Sequence, residues 1–231
     1  MEIQGRVFLL TGASRGIGRS LAEALATSGA RLVLSARTTD DLERVARTCR
    51  ASGADVRAVV GDVGRDADAA RMVETAHQAF GHIDVLINNA AVLLSRAPLK
   101  DVEAEVWEQT LRVNVVGTAN MIRHVLPAME ERRDGLIVNV TSTWGREAAP
   151  LVAPYCASKF AVEALTRSVS MESGPGVVVC AANPGVIATD MLADAFGGDV
   201  SAYPGPEALT PRWLRLLEEA GPALHGRSID L

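Results

Sequence analysis

Short apolar runs rich in β-branched residues and leucine recur at positions 6–10, 31–35, 55–60, 84–87, 135–140 and 176–181, roughly 25 to 40 residues apart. Between them the apolar positions fall at helical spacing. In the first such stretch Ile17, Leu21 and Leu25 lie four apart, with Ala22, Ala24 and Ala26 among them and Gly29 as a stop signal. Strands and helices that alternate without hairpin turns predict parallel strands with right-handed crossovers, an α/β doubly wound sheet with helices on both faces. The closing HGRSIDL reads as a last strand, for about seven in all. No repeat, low-complexity tract or linker interrupts the pattern, so residues 1–231 are expected to form a single domain. The loop-like stretch is 194–206, DAFGGDVSAYPGP.

Composition narrows the function classes. The chain has 231 residues, 48% of them hydrophobic, and a formal net charge of −5. Its arginines are scattered, and Arg44, Arg47 and Arg50 read as one solvated helix face, so no basic stripe suits nucleic acid or anionic lipid. Cys49, Cys156 and Cys180 are too few and too far apart for a disulfide framework or a zinc site, and the four histidines form no ligand-spaced pair. No metal is expected. Neither an export signal nor a membrane span is read, which leaves a cytoplasmic protein with reduced thiols as the expectation.

In an open parallel sheet the ligand crevice lies at the carboxyl ends of the strands, so the residues after each strand carry the most information. After the first comes LLTGASRGIGRSLAEALATSG, residues 9–29. A strand, a glycine turn and a helix start suit a phosphate, because the helix amino terminus presents free N–H groups and glycine lets the backbone approach. A P-loop is excluded: five positions before Gly18 stands Ala13, and Arg19 replaces the lysine. The G-x-G-x-x-G fingerprint also fails, since the glycines are Gly12, Gly16 and Gly18. The pattern T-G-x-x-x-G-x-G resembles the cofactor loop of the short-chain dehydrogenase/reductase family; alone, it is also compatible with an ordinary glycine-rich turn.

The second strand ends in LVLSART, where a protein preferring NAD usually places an acidic residue about 20 positions beyond the glycines. Here Ser35, Ala36 and Arg37 stand instead, and Arg37 with Arg15 would grip a 2′-phosphate, which points to NADP(H). After the third strand, Asp62, followed by Val63, resembles the family residue that contacts adenine. After the fourth, Asn88, Asn89 and Ala90 resemble the family's N-N-A-G turn, with Ala91 in place of its glycine.

The fifth strand leads to Ser142, and thirteen residues later comes YCASK. Tyr155 and Lys159, four apart, share one helical face, where an ammonium can stabilise the phenolate. A free tyrosine titrates near pH 10, so proton exchange near neutrality needs such a charge. With Asn114 in RVNVVGT, the chain resembles a short-chain dehydrogenase/reductase of the branch with chains near 250 residues, over nearly its whole length. The resemblance implies a Rossmann-type fold and a catalytic tetrad of Asn114, Ser142, Tyr155 and Lys159. In that tetrad Tyr155 is the general acid and Ser142 holds the substrate oxygen. Lys159 binds the nicotinamide ribose and lowers the tyrosine pKa, and Asn114 positions a relay water. It further implies that Gly12, Ser14, Arg15, Gly16, Ile17 and Gly18 hold the pyrophosphate and that Arg37, Asp62, Val63, Asn89 and Ala90 contact the cofactor. In the P-G turn, Pro184, Gly185, Ile187 and Thr189 lie at the nicotinamide, with Tyr155 and Lys159 beside it.

The expected function is NADPH-dependent interconversion of a carbonyl and an alcohol on a small molecule. The alternatives are a redox-inactive NADP-binding sensor of the same fold and an epimerase or dehydratase with a retained cofactor. Leu93, Leu94, Trp144, Val186, Met191 and Leu192 are candidate pocket walls, and residues 190–206 a candidate lid. Apolar excess in segments 103–131 and 154–172 matches the helices that pair across a two-fold axis in the resembling family, so a homodimer or homotetramer is expected.

Overall fold

The computed structural model describes residues 2–231. Seven strands form one parallel sheet: β1 (Val7–Thr11), β2 (Arg31–Ala36), β3 (Val56–Val60), β4 (Val85–Asn88), β5 (Gly135–Val140), β6 (Val177–Asn183) and β7 (Ser228–Asp230). Their spatial order is β3-β2-β1-β4-β5-β6-β7, so the winding direction reverses between β1 and β4. That reversal opens a crevice above the carboxyl ends of the two strands.

Helices cover both faces. Phe8, Leu10, Leu32 and Leu34 point to one core, with Leu21 and Leu25 of α1 (Gly16–Thr27), Leu42 of α2 (Thr39–Ala51) and Trp213 of α8 (Thr210–Glu218). The alternate residues Val7, Leu9, Val33 and Leu86 point to the other. There they meet Met72 of α3 (Asp66–Phe80), Met121 and Val125 of α5 (Gly117–Arg132) and Val169 of α6 (Ala153–Glu172). A sheet covered on both faces explains why its strands are nearly continuous apolar runs rather than alternating ones.

Two segments depart from the sequence pattern. The helical stretch 103–131 is not one helix: α4 (Ala104–Leu111) runs into a π-helical turn, Arg112–Val116, before α5 begins. The stretch 194–206 begins inside a helix, since α7 spans Asp190–Phe196, with the Thr189 hydroxyl accepting from the Leu192 N–H at 3.3 Å and Gly197 ending it at φ 62°. No residue of α7 is buried. Among the described residues no helix is long and apolar enough to cross a membrane.

Candidate active site

A cavity of about 760 Å³ occupies the crevice, and the glycine loop forms its floor. Gly12 and Gly16 adopt φ of 66° and 53°, conformations that side-chain-bearing residues rarely take. A Cβ at Gly12 would lie 2.8 Å from Ala90 Cα, and one at Gly18 would lie 2.2 Å from the Gly12 carbonyl oxygen. Asn89 fixes this loop from across the β1–β4 boundary: its Nδ2 donates to the carbonyls of Thr11 and Gly12, both at 3.0 Å. The Thr11 hydroxyl accepts from the N–H groups of Asn89 and Ala90 at 3.1 and 3.0 Å. The Asn89 side chain therefore shapes the loop, and Asn89 and Ala90 both line the cavity. Ala91, in place of the family's glycine, is unstrained, because the only non-glycine residues with positive φ among those described are Arg133 and Leu151.

Beyond β2 the wall is Ser35, Ala36 and an exposed Arg37. Ser35 Oγ is buried without a hydrogen-bond partner among the described residues. Arg15 lies 3.8 Å from Asp190 of α7 and also faces the cavity. After β3, Asp62 accepts from the Gly64 N–H at 2.9 Å and from the Arg112 guanidinium at 2.7 Å. Burial pushes the Asp62 carboxyl up, but these two donors and the charges of Arg112 and Arg37 outweigh it and hold the group below its ordinary range.

At the other end stand Ser142, Tyr155 and Lys159, all on the cavity wall. Ser142 follows β5 and accepts from the Trp144 N–H at 3.2 Å. Lys159, only 3% exposed, donates to the Val140 carbonyl at 2.8 Å and places its ammonium 5.6 Å from the Tyr155 ring centroid. Burial pushes the Tyr155 phenol up to about 12, partly offset by its hydrogen bond with Ser142. Burial brings Lys159 down to about 8, against the opposing charge of Glu163. Asn114, in the π-helical turn, does not reach the cavity. Its Oδ1 accepts from the Val92 N–H at 2.8 Å, and its Nδ2 donates to the Val92 carbonyl at 3.0 Å and to Ser158 Oγ at 2.9 Å. Ser158 in turn donates to the Tyr155 carbonyl at 2.7 Å, so Asn114 braces the backbone that carries the tyrosine.

Pro184, Gly185, Ile187 and Thr189 line the cavity next to this cluster, as do Leu93, Val186, Met191 and Leu192. Leu94 does not; it is exposed. Four residues whose contacts the sequence does not disclose, Asp190 and Phe196 of the candidate lid among them, shape the site. Arg112 ties the π-helical turn to Asp62, and Asp190 faces Arg15. Phe196 stacks on Trp144 at 6.0 Å, and Arg96 sits 4.7 Å above the Phe196 ring. Their partners are distant in sequence, so no local spacing could have exposed them.

The short chain dehydrogenase family profile matches residues 6–198. The chain is 38% identical over 206 residues to an NADPH-dependent pterin aldehyde reductase of Arabidopsis thaliana, covering 89% of this chain and 85% of that one. It is 37% identical over 188 residues to dehydrogenase/reductase SDR family member 4 of Mus musculus, covering 81% and 67%. Among solved structures it is similar to levodione reductase, with a TM-score of 0.91 at 26% identity over 99% of this chain and 96% of that chain. A protein of Shigella flexneri, described as a short chain dehydrogenase and complexed with NADP, also superposes at 0.91, with 26% identity and coverage of 99% and 98%. The chain belongs to the short-chain dehydrogenase/reductase family, an oxidoreductase family with a Rossmann-type fold.

Proposed function

We propose that the protein is an NADPH-dependent reductase that converts a small-molecule aldehyde or ketone to its alcohol. The observation that carries this reading is one continuous cavity joining a backbone cradle, which a Cβ at Gly12 or Gly18 would fill, to the Ser142, Tyr155 and Lys159 side chains. A dinucleotide fits the cradle. Ser14, Arg15, Gly16 and Ile17 lie at the free N–H groups of α1, where a pyrophosphate is favoured. The orphaned Ser35 hydroxyl would offer a ribose a partner, and Arg37 and Arg15 would suit a 2′-phosphate. Of the lining residues, Asp62 and Val63 would hold the adenine, Asn89 and Ala90 the middle of the cofactor, and Ile187 and Thr189 the nicotinamide. When bound, NADPH supplies the hydride.

The protein's own part is the proton. Tyr155, with a phenol pushed well above neutrality, is protonated at pH 7 and stands as the acid. Ser142 Oγ holds the substrate oxygen against it. Lys159 supplies a positive charge beside the ring that favours the phenolate left after transfer. Asn114 holds the Tyr155 backbone in register through Ser158. Phe160 and Met171 on α6, with Val116 of the π-helical turn, are exposed and supply the apolar face of a homodimer or homotetramer. This reading places the single-domain protein in the cytoplasm, with residues 190–206 as a substrate loop. The test is NADPH oxidation followed by absorbance over a panel of aldehydes, ketones, quinones and 3-oxoacyl esters. Carbonyl-dependent oxidation is expected, and its absence across the panel would overturn the reading.

A further inference from the structure

Trp144 is built into the reaction centre. Its backbone N–H is tied to Ser142 Oγ, and its indole meets the Tyr155 ring edge-on, at 6.0 Å and 86°. The turn that carries it, Thr143–Gly145, packs closely at Gly145, where a Cβ would lie 3.0 Å from the Lys159 carbonyl oxygen and 2.7 Å from Thr141 Oγ1. The backbone hydrogen bond and the edge contact thus seat the indole beside the proton donor. Phe196, at 6.0 Å and 22° between planes, stacks on it, and the Arg96 guanidinium lies over the Phe196 ring at 4.7 Å. Phe196 is held by less. It ends α7, which buries no residue, and is followed by Gly197 and Gly198. One aromatic ring is therefore carried on a packed turn and the other on an exposed helix end, beside the Ser142 and Tyr155 side chains.

We infer that the substrate carries its carbonyl on a planar aromatic ring, which enters between the indole of Trp144 and the ring of Phe196. The inference rests on the carbonyl-reductase reading above. Aromatic rings associate through matched face and edge charge beyond the area they bury, and a saturated ring of the same size offers no such match. Entry exchanges one ring–ring contact for two, with α7 moving aside. The surrounding Leu93, Val186 and Met191 accept any apolar shape, so selectivity for planarity falls to Trp144 and Phe196.

The decisive experiment compares 2-naphthalenemethanol with its fully saturated counterpart, decahydro-2-naphthalenemethanol, for binding to the NADP⁺-loaded protein by calorimetry. Water favours expulsion of the saturated compound at least as much, so hydrophobicity alone predicts no aromatic preference. The expected result is roughly tenfold tighter binding of the aromatic alcohol. In Trp144→Leu that ratio should fall toward one. Phe196→Leu, on an exposed helix whose change leaves the core untouched, should lower it as well. A ratio near one in the unmutated protein, or one unmoved by both substitutions, would overturn the inference. Oxidation of NADPH by 2-naphthaldehyde is measured in parallel. Ring-selective binding without turnover would strike the reductase reading alone, whereas turnover without ring selectivity would strike this inference alone.

Discussion

Lys159 and Glu163 lie one turn apart on α6, each only 3% exposed, and the Glu163 charge opposes the loss of the lysine's proton. The carboxylate is held by Ser228 of β7, whose hydroxyl donates to Oε1 at 2.8 Å, while Oε2 is buried without a hydrogen bond and lies 3.8 Å from Arg167. A buried carboxylate with one oxygen lacking a hydrogen bond is an expensive arrangement unless a nearby cation compensates it.

The pH dependence follows from that pair. Lys159 has its proton affinity lowered from the usual lysine value to about 8, so it is charged below that pH and neutral above it. Reductive kcat/KM should hold through pH 7 and decline above about 8 as Lys159 loses its charge, whereas Tyr155, pushed up to about 12, still carries its proton there and does not set the limb. In Glu163→Gln the lysine loses its compensating charge, and the alkaline limb should move to lower pH. A pH–rate profile checks both. Ser228→Ala, which frees Oε1 but keeps the charge, should leave the limb closer to that of the unmutated protein.

Tyr155→Phe should reduce turnover by roughly 10² to 10⁴, the range typical of losing a positioned general acid. NADPH affinity should change little, because the ring remains to fill the cavity wall. Steady-state rates with fluorescence titration of NADPH separate the two quantities. Activity within about tenfold of the unmutated protein would remove the tyrosine from its assigned place.

Arg37→Ala should weaken NADPH binding by roughly tenfold to a hundredfold, since a charge-assisted hydrogen bond to phosphate is worth about 1.5–3 kcal/mol. NADH affinity should be unaffected. Ala36→Asp should instead exclude NADPH by repulsion and admit NADH. The effect should shrink as salt rises, because Arg37 is exposed. Dissociation constants for both cofactors at two ionic strengths provide the measurement.

Gly18→Ala should abolish dinucleotide binding and lower the melting temperature. Its methyl would sit 2.2 Å from the Gly12 carbonyl oxygen and 2.6 Å from Asn89 Nδ2, so either the loop or the Asn89 bracket must move. Gly53→Ala is the control for backbone effects alone, with φ 91° but no atom within 4 Å of the added carbon. A melting curve and an NADPH titration for each variant distinguish collision from conformational strain.

The sheet was legible because parallel strands buried on both faces must be apolar throughout, and their spacing is set by the helices between them. Val85–Asn88 and Val177–Asn183 fall within two residues of where the runs place them. The Gly12–Gly18 loop and the Tyr155 and Lys159 pair were also legible, since their members are close in sequence and share one turn or helix face. Arg112 and Phe196 were not. Arg112 matters through Asp62, fifty residues earlier, and Phe196 through Trp144, so their partners are set by tertiary packing rather than by local spacing. The role of Asn114 was only half legible. Its motif marked it, but the bracing of Val92 and Ser158 depends on a π-helical turn that periodicity does not announce.

That turn works as a phase shifter. An α-helix advances about 100° per residue, so one residue more or fewer between α4 and α5 rotates everything downstream by more than a quarter circle. Deleting one residue from Arg112–Val116 would leave a straighter, better-bonded helix and a worse protein. Met121 and Val125 would turn away from the sheet, or Asn114 would turn away from Val92. The π-helical turn lets a single run of chain keep two incompatible angular settings, one for the core and one for the tyrosine.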